Sequence, residues 1–345
     1  MKSASKAILA ERLTAQGLSG PPLPAPAAVA ERLLAVQGQD PRGFRLAIRA
    51  RTEGLTAADV EHALAERQLI VTWLNRGTLH LVRSEDYPLL QSLTTPPLLT
   101  SSARRLRQEG VSEAAAERAL ATIENTIADE GPLTRPQLRE RLDSAGLRTE
   151  GQALIHLFFL AAIRGIVVRG PMVGKQHAYV LVHDWLGKQK PVDREKALAE
   201  LARRYLVGHQ PATDRDLAKW AGLPLRDARA GLKAIGSELE EEEGGLVSLA
   251  KRAAPEKLPP PRLLGAFDPV LLGWTSRESV LGEHTSLVTR NGIFHPFAMV
   301  KGKAVAKWGF PGGKVKLQPL QPLPARIATA FEADAADVTR FLSPP

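Results

Sequence analysis

Through the first 255 residues, apolar positions at helical spacing alternate with brief runs of period two, and the order of these runs repeats. Pro132-Leu133-Thr134-Arg135-Pro136-Gln137-Leu138 and Pro211-Ala212-Thr213-Asp214-Arg215-Asp216-Leu217 both read P-x-T-x-x-polar-L. In each, the threonine is placed to N-cap a helix and the residue three later, Gln137 or Asp216, answers it in a capping box. After the first motif come a turn at Ser144-Ala145-Gly146 and a second capping signal from Thr149 and Gln152. An apolar run over 154–163 and two strands, around Ile166-Val167-Val168 and Tyr179-Val180-Leu181, follow. Helix, helix and hairpin in that order predict a winged helix. The second motif repeats it with Pro224 opening a helix over 225–235, a strand at Leu246-Val247-Ser248-Leu249 and a short acidic wing over 240–243. An earlier copy begins at Leu55-Thr56-Ala57-Ala58-Asp59, with a helix through Glu66, strands over 69–74 and 78–82, and a hairpin turn at Asn75-Arg76-Gly77. Long helices over 98–107 and 112–129 bridge the first two copies.

The pattern changes at Lys257-Leu258-Pro259-Pro260-Pro261. Beyond it, short alternating segments at 263–267, 286–289, 297–300, 304–308 and 315–318 are separated by Gly, Pro and Asn, which predicts a small β-barrel or sheet. A last helix over 325–342, apolar at Ile327, Phe331, Val338 and Leu342, is placed to pack back on the body. The expected class is α+β: three tandem winged-helix units, a small C-terminal β-barrel and a terminal helix. The segments are 1–130, 131–190, 191–255 and 256–345.

Composition narrows the partner. Lys+Arg number 46 against 37 Asp+Glu, a formal charge of +9 that favours a polyanion, either nucleic acid or an acidic membrane surface. There is no cysteine, so disulfides, thiolate metal sites and cysteine nucleophiles are excluded. No signal-peptide core and no apolar run of about 20 residues occurs, which predicts a soluble, cytoplasmic protein. Phosphate loops, H-E-x-x-H, nucleophile elbows and dinucleotide glycine fingerprints are missing, and the eight histidines lack metal-ligand spacing. Neither metal nor cofactor is expected. Lys301, Lys303, Lys307, Lys314 and Lys316 form the densest basic stretch, with no acidic residue among them. They suit either contact with a phosphate backbone or protection of a sheet edge. Arg104, Arg105 and Arg107 form a second cluster with the same two readings. Tandem winged helices with this charge equally suit a transcriptional regulator without catalytic activity, which would read two half-sites as a dimer.

Candidate chemistry comes from residues 33–43, Leu-Leu-Ala-Val-Gln-Gly-Gln-Asp-Pro-Arg-Gly, read as a helix end that Pro41 forces to terminate. Gln37-Gly38-Gln39 resembles the Gln-x-Gln motif of the AlkZ/YcaQ-type DNA glycosylases. Arg76-Gly77-Thr78-Leu79-His80-Leu81 resembles the wing that follows it there, and residues 263–274 resemble the start of their C-terminal barrel. The likeness runs in order along nearly the whole chain.

The resemblance implies an enzyme that hydrolyses the N-glycosidic bond of N7-alkylated guanine in double-stranded DNA, including crosslinked guanine. It also implies self-resistance to an alkylating natural product. Gln37 and Gln39 would be the catalytic pair. YcaQ-type relatives carry Asp at the second position; a carboxamide such as Gln39 cannot accept a proton near neutral pH and so cannot be an ordinary general base. Alkylation at N7 already makes guanine a good leaving group, so two amide oxygens that hold a water and stabilise a cationic sugar suffice. Asp40 is offset by one residue and is expected to point elsewhere.

Arg76, His80 and the five lysines are the expected DNA contacts, with the lysine segment as a minor-groove probe. A crosslinked guanine cannot be swung freely out of the stack, and an open basic cleft suits it better than a closed pocket. Three unlike winged helices favour a monomer. A protein that sequesters the alkylating agent itself is a third reading, one that needs a large apolar pocket.

Overall fold

Both predicted capping boxes form. Thr134 opens the Arg135–Ser144 helix and its backbone N–H donates to Gln137 Oε1 at 2.9 Å. Thr213 opens Asp214–Ala221, exchanging bonds of 3.0 and 3.1 Å with Asp216. The third capping expectation is corrected: Thr149 donates to the Asp143 carboxylate, and the next helix, Ala153–Ile163, starts after Gln152 with no side-chain cap.

This computed structural model describes residues 2–343, a mixed α+β fold. The chain divides into two compact units, one joining Met1–Val60 to Glu195–Pro345 and the other formed by Glu61–Arg194. Among the described residues no helix is long and apolar enough to cross a membrane.

In the Glu61–Arg194 unit, strands Leu69–Leu74 and Thr78–Arg83 form the expected hairpin through Asn75–Gly77, with Arg76 at φ +58°. Helices Leu99–Gln108 and Glu113–Glu130 follow, the second capped by Ser112, and then Leu133–Thr134, Arg135–Ser144, Ala153–Ile163 and a hairpin of Val167–Val173 with Gln176–Leu181. Val71 stands opposite Arg169, so the hairpins expected in separate segments lie in one antiparallel arrangement. Arg169 ties them further, its guanidinium over the rings of Trp73 (4.7 Å) and Tyr179 (5.3 Å). Ile123, Leu138, Leu142, Leu157 and Phe158 are buried beneath.

The other unit holds helices Lys2–Ala15, Pro26–Leu33 and Pro41–Arg49, then Arg194–His209, Asp214–Ala221, Leu225–Ala234 and the hairpin Leu239–Glu242 with Leu246–Leu249. Its C-terminal part corrects the expected barrel. Strands Lys316–Pro319, Lys303–Gly309, Phe297–Val300 and Arg262–Leu264 lie in that order as an open antiparallel sheet. Closure is blocked at the Arg262–Leu264 edge, where the outward N–H of Leu263 donates to Asp334 Oδ2 (2.7 Å) and its carbonyl accepts from Arg49 Nη1 (3.0 Å). Asp334 belongs to the terminal helix Ala325–Leu342, whose Phe331 and Val338 pack with Leu263, Ala298 and Trp308. Segment 286–289 is not a strand: Thr285–Leu287 is one 3-10 turn, and Val288 only bridges Phe294 across a tight loop.

One buried ion pair organises this unit. Arg51 donates from its five N–H groups to five acceptors: Gln16 O (2.7 Å), Ala47 O (2.9 Å), Gln16 Oε1 (3.1 Å) and both Asp268 oxygens (3.0 and 2.9 Å). Neither the Arg51 nor the Asp268 side chain touches solvent. Complete satisfaction of this kind offsets the desolvation of both charges, and loss of one partner strands the other. Asp268→Ala is therefore expected to lower unfolding stability by about 3–5 kcal/mol, measured by chemical denaturation against wild type.

Candidate active site

The sequence Leu33 to Gly43 folds as two helices with an extended link between them, which corrects the part expected of Pro41. The first helix, Pro26–Leu33, stops at Leu34, a residue without glycine's freedom held at φ +61°. Such a conformation costs about 1–3 kcal/mol and persists only where the surroundings impose it. Leu33, Leu34, Ala35 and Val36 are all buried and pin it. Pro41 does not end this helix; it opens the next one at the first position, where a missing N–H costs nothing.

Gln37 and Gln39 fall in the link, two residues apart, so an extended backbone turns both side chains the same way. Gln37 Nε2 donates to Gln39 Oε1 at 2.7 Å. Gln37 is buried and Gln39 exposed, so the first anchors the second. Asp40 takes no part in the pair. It N-caps the Pro41–Arg49 helix by accepting from the Gly43 N–H, as its offset in the sequence implies. Gly43 is required by packing: a Cβ there would lie 2.3 Å from the Ala266 carbonyl oxygen.

Beside Asp40, a pocket of about 240 Å³ opens between Arg42 and Leu46 on one side and residues 266–267, 293–296 and 308–310 on the other. Trp308 on its wall is fixed by an indole N–H bond to Leu264 O at 2.8 Å. Phe267, also on the wall, is held at φ +57°.

Within their own sheet the five lysines do not share one face. Lys301 (φ +49°) and Gly302 (φ +79°) make the two-residue turn between Phe297–Val300 and Lys303–Gly309. A Cβ at Gly302 would lie 2.8 Å from Leu13, so this tip is seated on the Lys2–Ala15 helix. Lys303 donates to Ser279 O at 2.6 Å. A register shift near Ala298/Met299 puts Lys303 out of step with Lys307. Lys307 opposes Gln318 and Gly309 opposes Lys316, which leaves Lys307 and Lys316 on one face. Lys314 is exposed in the loop before Lys316.

In the Glu61–Arg194 unit, Arg76 sits half-buried in the hairpin turn. His80 is only 2% exposed, and its Nδ1 lies 2.9 Å from Thr78 O. Burial first and the Arg76 charge second push its pKa down to about 3, against the pull of the Thr78 carbonyl. It is neutral at physiological pH, so any contact it makes is a hydrogen bond and not an ion pair. Arg105 is engaged with Gln152, His156 and Glu109, whereas Arg104 and Arg107 are exposed.

Sequence reasoning missed Asp268. It lies inside the quoted 263–274 segment, yet its partner Arg51 is 217 residues away and no local signal pairs them. It likewise missed the pocket, whose aromatic residues are scattered along the chain.

Comparison with known proteins places these features in a family. The profile of the family described as AlkZ-like DNA glycosylases matches residues 30–341. The interstrand DNA cross-link repair glycosylase of Streptomyces sahachiroi is 28% identical, over 99% of this chain and 97% of that protein. The solved structure of Streptomyces sahachiroi DNA glycosylase AlkZ aligns with a TM-score of 0.78 at 26% identity, covering 97% of this chain and 96% of that one.

A second histidine shares the protonation behaviour of His80. His209, stacked on Tyr205 at 4.6 Å, is also pushed by burial to about 3. For both rings the folded pKa lies below the ordinary 6.5, so the unfolded chain binds protons first as pH falls. Their stabilising contribution is complete above pH 6.5 and drains away toward pH 3, by up to about 1.4 kcal/mol per pH unit for each ring. Urea unfolding at pH 7 and pH 5 is expected to show this loss, and His80→Gln to show a shallower one.

Proposed function

The chain belongs to the AlkZ-like DNA glycosylase family, and from that premise we propose that it hydrolyses the N-glycosidic bond of N7-alkylated guanine in double-stranded DNA. On this reading it unhooks interstrand crosslinks, the activity in the printed name of its Streptomyces sahachiroi relative. A cell exposed to a bifunctional alkylating natural product would thereby gain resistance to it. The observation that carries the proposal is the Gln37–Gln39 bond of 2.7 Å in an extended link between two helices.

N7 alkylation gives guanine a positive charge, so the bond breaks toward an oxocarbenium-like sugar with no need to protonate the base. What the protein must add is a positioned water and negative potential near the anomeric carbon. Gln39 Oε1, fixed by the Gln37 amide, keeps a second lone pair for that water. Neither carboxamide can take up the water's proton, and Asp40 Oδ1 accepts the cap bond of Gly43. The proton passes to solvent once the water oxygen has bonded to the anomeric carbon and the neutral base has left. Stabilisation is therefore electrostatic and positional.

We read residues 131–190 and 191–255 as winged helices because each runs helix, helix, hairpin behind a capping box, and residues 1–130 as holding a third hairpin of the same kind. Residues 256–345 are the fourth segment. Arg76, Lys307, Lys314 and Lys316 are the proposed phosphate contacts, with Lys301 at the neighbouring turn. Lys303 is the weakest of the predicted set, its ammonium being held by Ser279.

Gln37→Ala and Gln39→Ala are each expected to slow release of base from a duplex containing 7-methylguanine by about 10²–10³-fold, with binding to undamaged duplex retained. Unchanged single-turnover rates in both variants would refute the assignment. Salt titration separates the lysines. Lys307→Ala and Lys316→Ala should each flatten the dependence of log K on log salt by about 0.9, and Lys303→Ala should leave it as in wild type.

A further inference from the structure

Residues 131–190 carry nine Lys and Arg against four Asp and Glu, a net +5 of the chain's +9, and no acidic residue occurs from 164 to 183. A surplus of that size points to a polyanion at this segment. Several of these cations are engaged within the fold: Arg141 is held by Glu130, Arg148 by Glu150 and Arg164 by Glu117, and Arg169 lies over two rings. Lys175 is in no ion pair among the described residues and stands exposed at the end of the hairpin.

In a winged helix the helix before the hairpin is the usual reader of DNA. Here that helix, Ala153–Ile163, exposes no residue. Its Leu154, Leu157, Phe158 and Leu160 share a core with Leu106 and Ile123 of the two bridging helices, and its one polar side chain, His156, accepts from Arg105 Nε at 3.2 Å. It cannot enter a groove without opening this core. The hairpin is what remains free to do so.

Its tip has the shape for contact. Val173 pairs with Gln176 across a two-residue turn, Gly174-Lys175, where Gly174 takes φ +60° and nothing lies within 4 Å of the place a Cβ would occupy. A turn this short keeps the tip narrow. Val173 beside it is 43% exposed, a large apolar side chain left open to solvent. Behind the tip the register slips between Arg169 and Met172, and such a bulge bends the strand and aims its end apart from the paired part of the hairpin.

We propose that residues 173–176 are a duplex-binding element, with Lys175 on a phosphate and Val173 against the adjoining sugars. The inference goes beyond the glycosylase reading: it rests on the winged-helix reading of residues 131–190 and on a DNA partner, not on the chemistry of the glutamine pair. A narrow tip brings one cation and one apolar side chain to the backbone together, which adds affinity without sequence preference. An acidic membrane is the competing polyanion, but a single valine buries too little to anchor in a bilayer.

Fluorescence anisotropy of an undamaged duplex, titrated with the full chain across a salt series, tests this. Lys175→Ala should flatten the dependence of log K on log salt by about 0.9, Val173→Asp should weaken binding by about ten-fold, and Lys175→Arg should keep the wild-type slope. Unfolding midpoints of the three variants should match wild type, since both side chains are exposed. Wild-type slope and affinity in Lys175→Ala and Val173→Asp overturn the proposal. So does loss of binding to phosphatidylserine vesicles in these variants with duplex binding unchanged. If wild type releases no 7-methylguanine while both tip variants still lose duplex binding, the glycosylase reading falls and the wing contact stands.

Discussion

The Arg51–Asp268 pair holds the first unit in register. Arg51 lies two residues beyond the Pro41–Arg49 helix and reaches three separate pieces of chain: the carbonyl and side chain of Gln16, the last turn of its own helix at Ala47, and Asp268. Gln16 extends the connection to Gly208 through a bond of 2.7 Å. Asp268 also caps its own turn by accepting from the Val270 N–H. A buried charge with every donor matched tolerates almost no displacement, because any shift uncovers a group that water cannot reach. At the other end of the same helix, Asp40 fixes its start, and the glutamine pair precedes that start directly. The placement of Gln37 and Gln39 is thus set by electrostatics buried well away from them.

A neighbouring set of charges does the same for the sheet. Arg49 binds Asp334, Asp337 Oδ2 (2.8 Å) and Leu263 O, and Arg262 adds a bond to Asp334 of 3.1 Å. Burial pushes the Asp337 pKa up, but the hydrogen bonds and charges of Arg49 and Arg340 outweigh it and leave it lowered. Instead of curling onto a fifth strand, the sheet edge is finished by side chains of the terminal helix. Two positions of positive φ, Leu34 before the glutamines and Phe267 at the pocket wall, sit in this braced region. Rigid surroundings are what allow such conformations to persist.

How much of this was legible in the sequence depends on range. Capping boxes at Thr134 and Thr213, the hairpin turn at Asn75-Arg76-Gly77 and the terminal helix are local, and their chemistry stands within a few residues. The glutamine pair was legible only through a resemblance, since two glutamines two residues apart carry no signal of their own. Pro41 was read as a stop because proline punctuates helices at both ends, and only Asp40 as its cap decides which. The barrel was expected from the spacing of short segments, but closure depends on what meets Leu263, and Asp334 is 71 residues away. The lysines looked like one stretch, yet a single register shift separates Lys303 from Lys307, and spacing cannot show that.

The division of the chain carries a consequence for its synthesis. The first unit is interrupted by the whole of Glu61–Arg194, so a ribosome releases Arg51 217 residues before Asp268. At typical elongation rates that gap lasts roughly ten to forty seconds. The interrupting unit, continuous in sequence, is complete once Arg194 has been made, while the segment bearing both glutamines still waits without its partner charge. The segment that bears the glutamines is therefore made early and braced late, and the helices before Arg51 are what a chaperone would meet first.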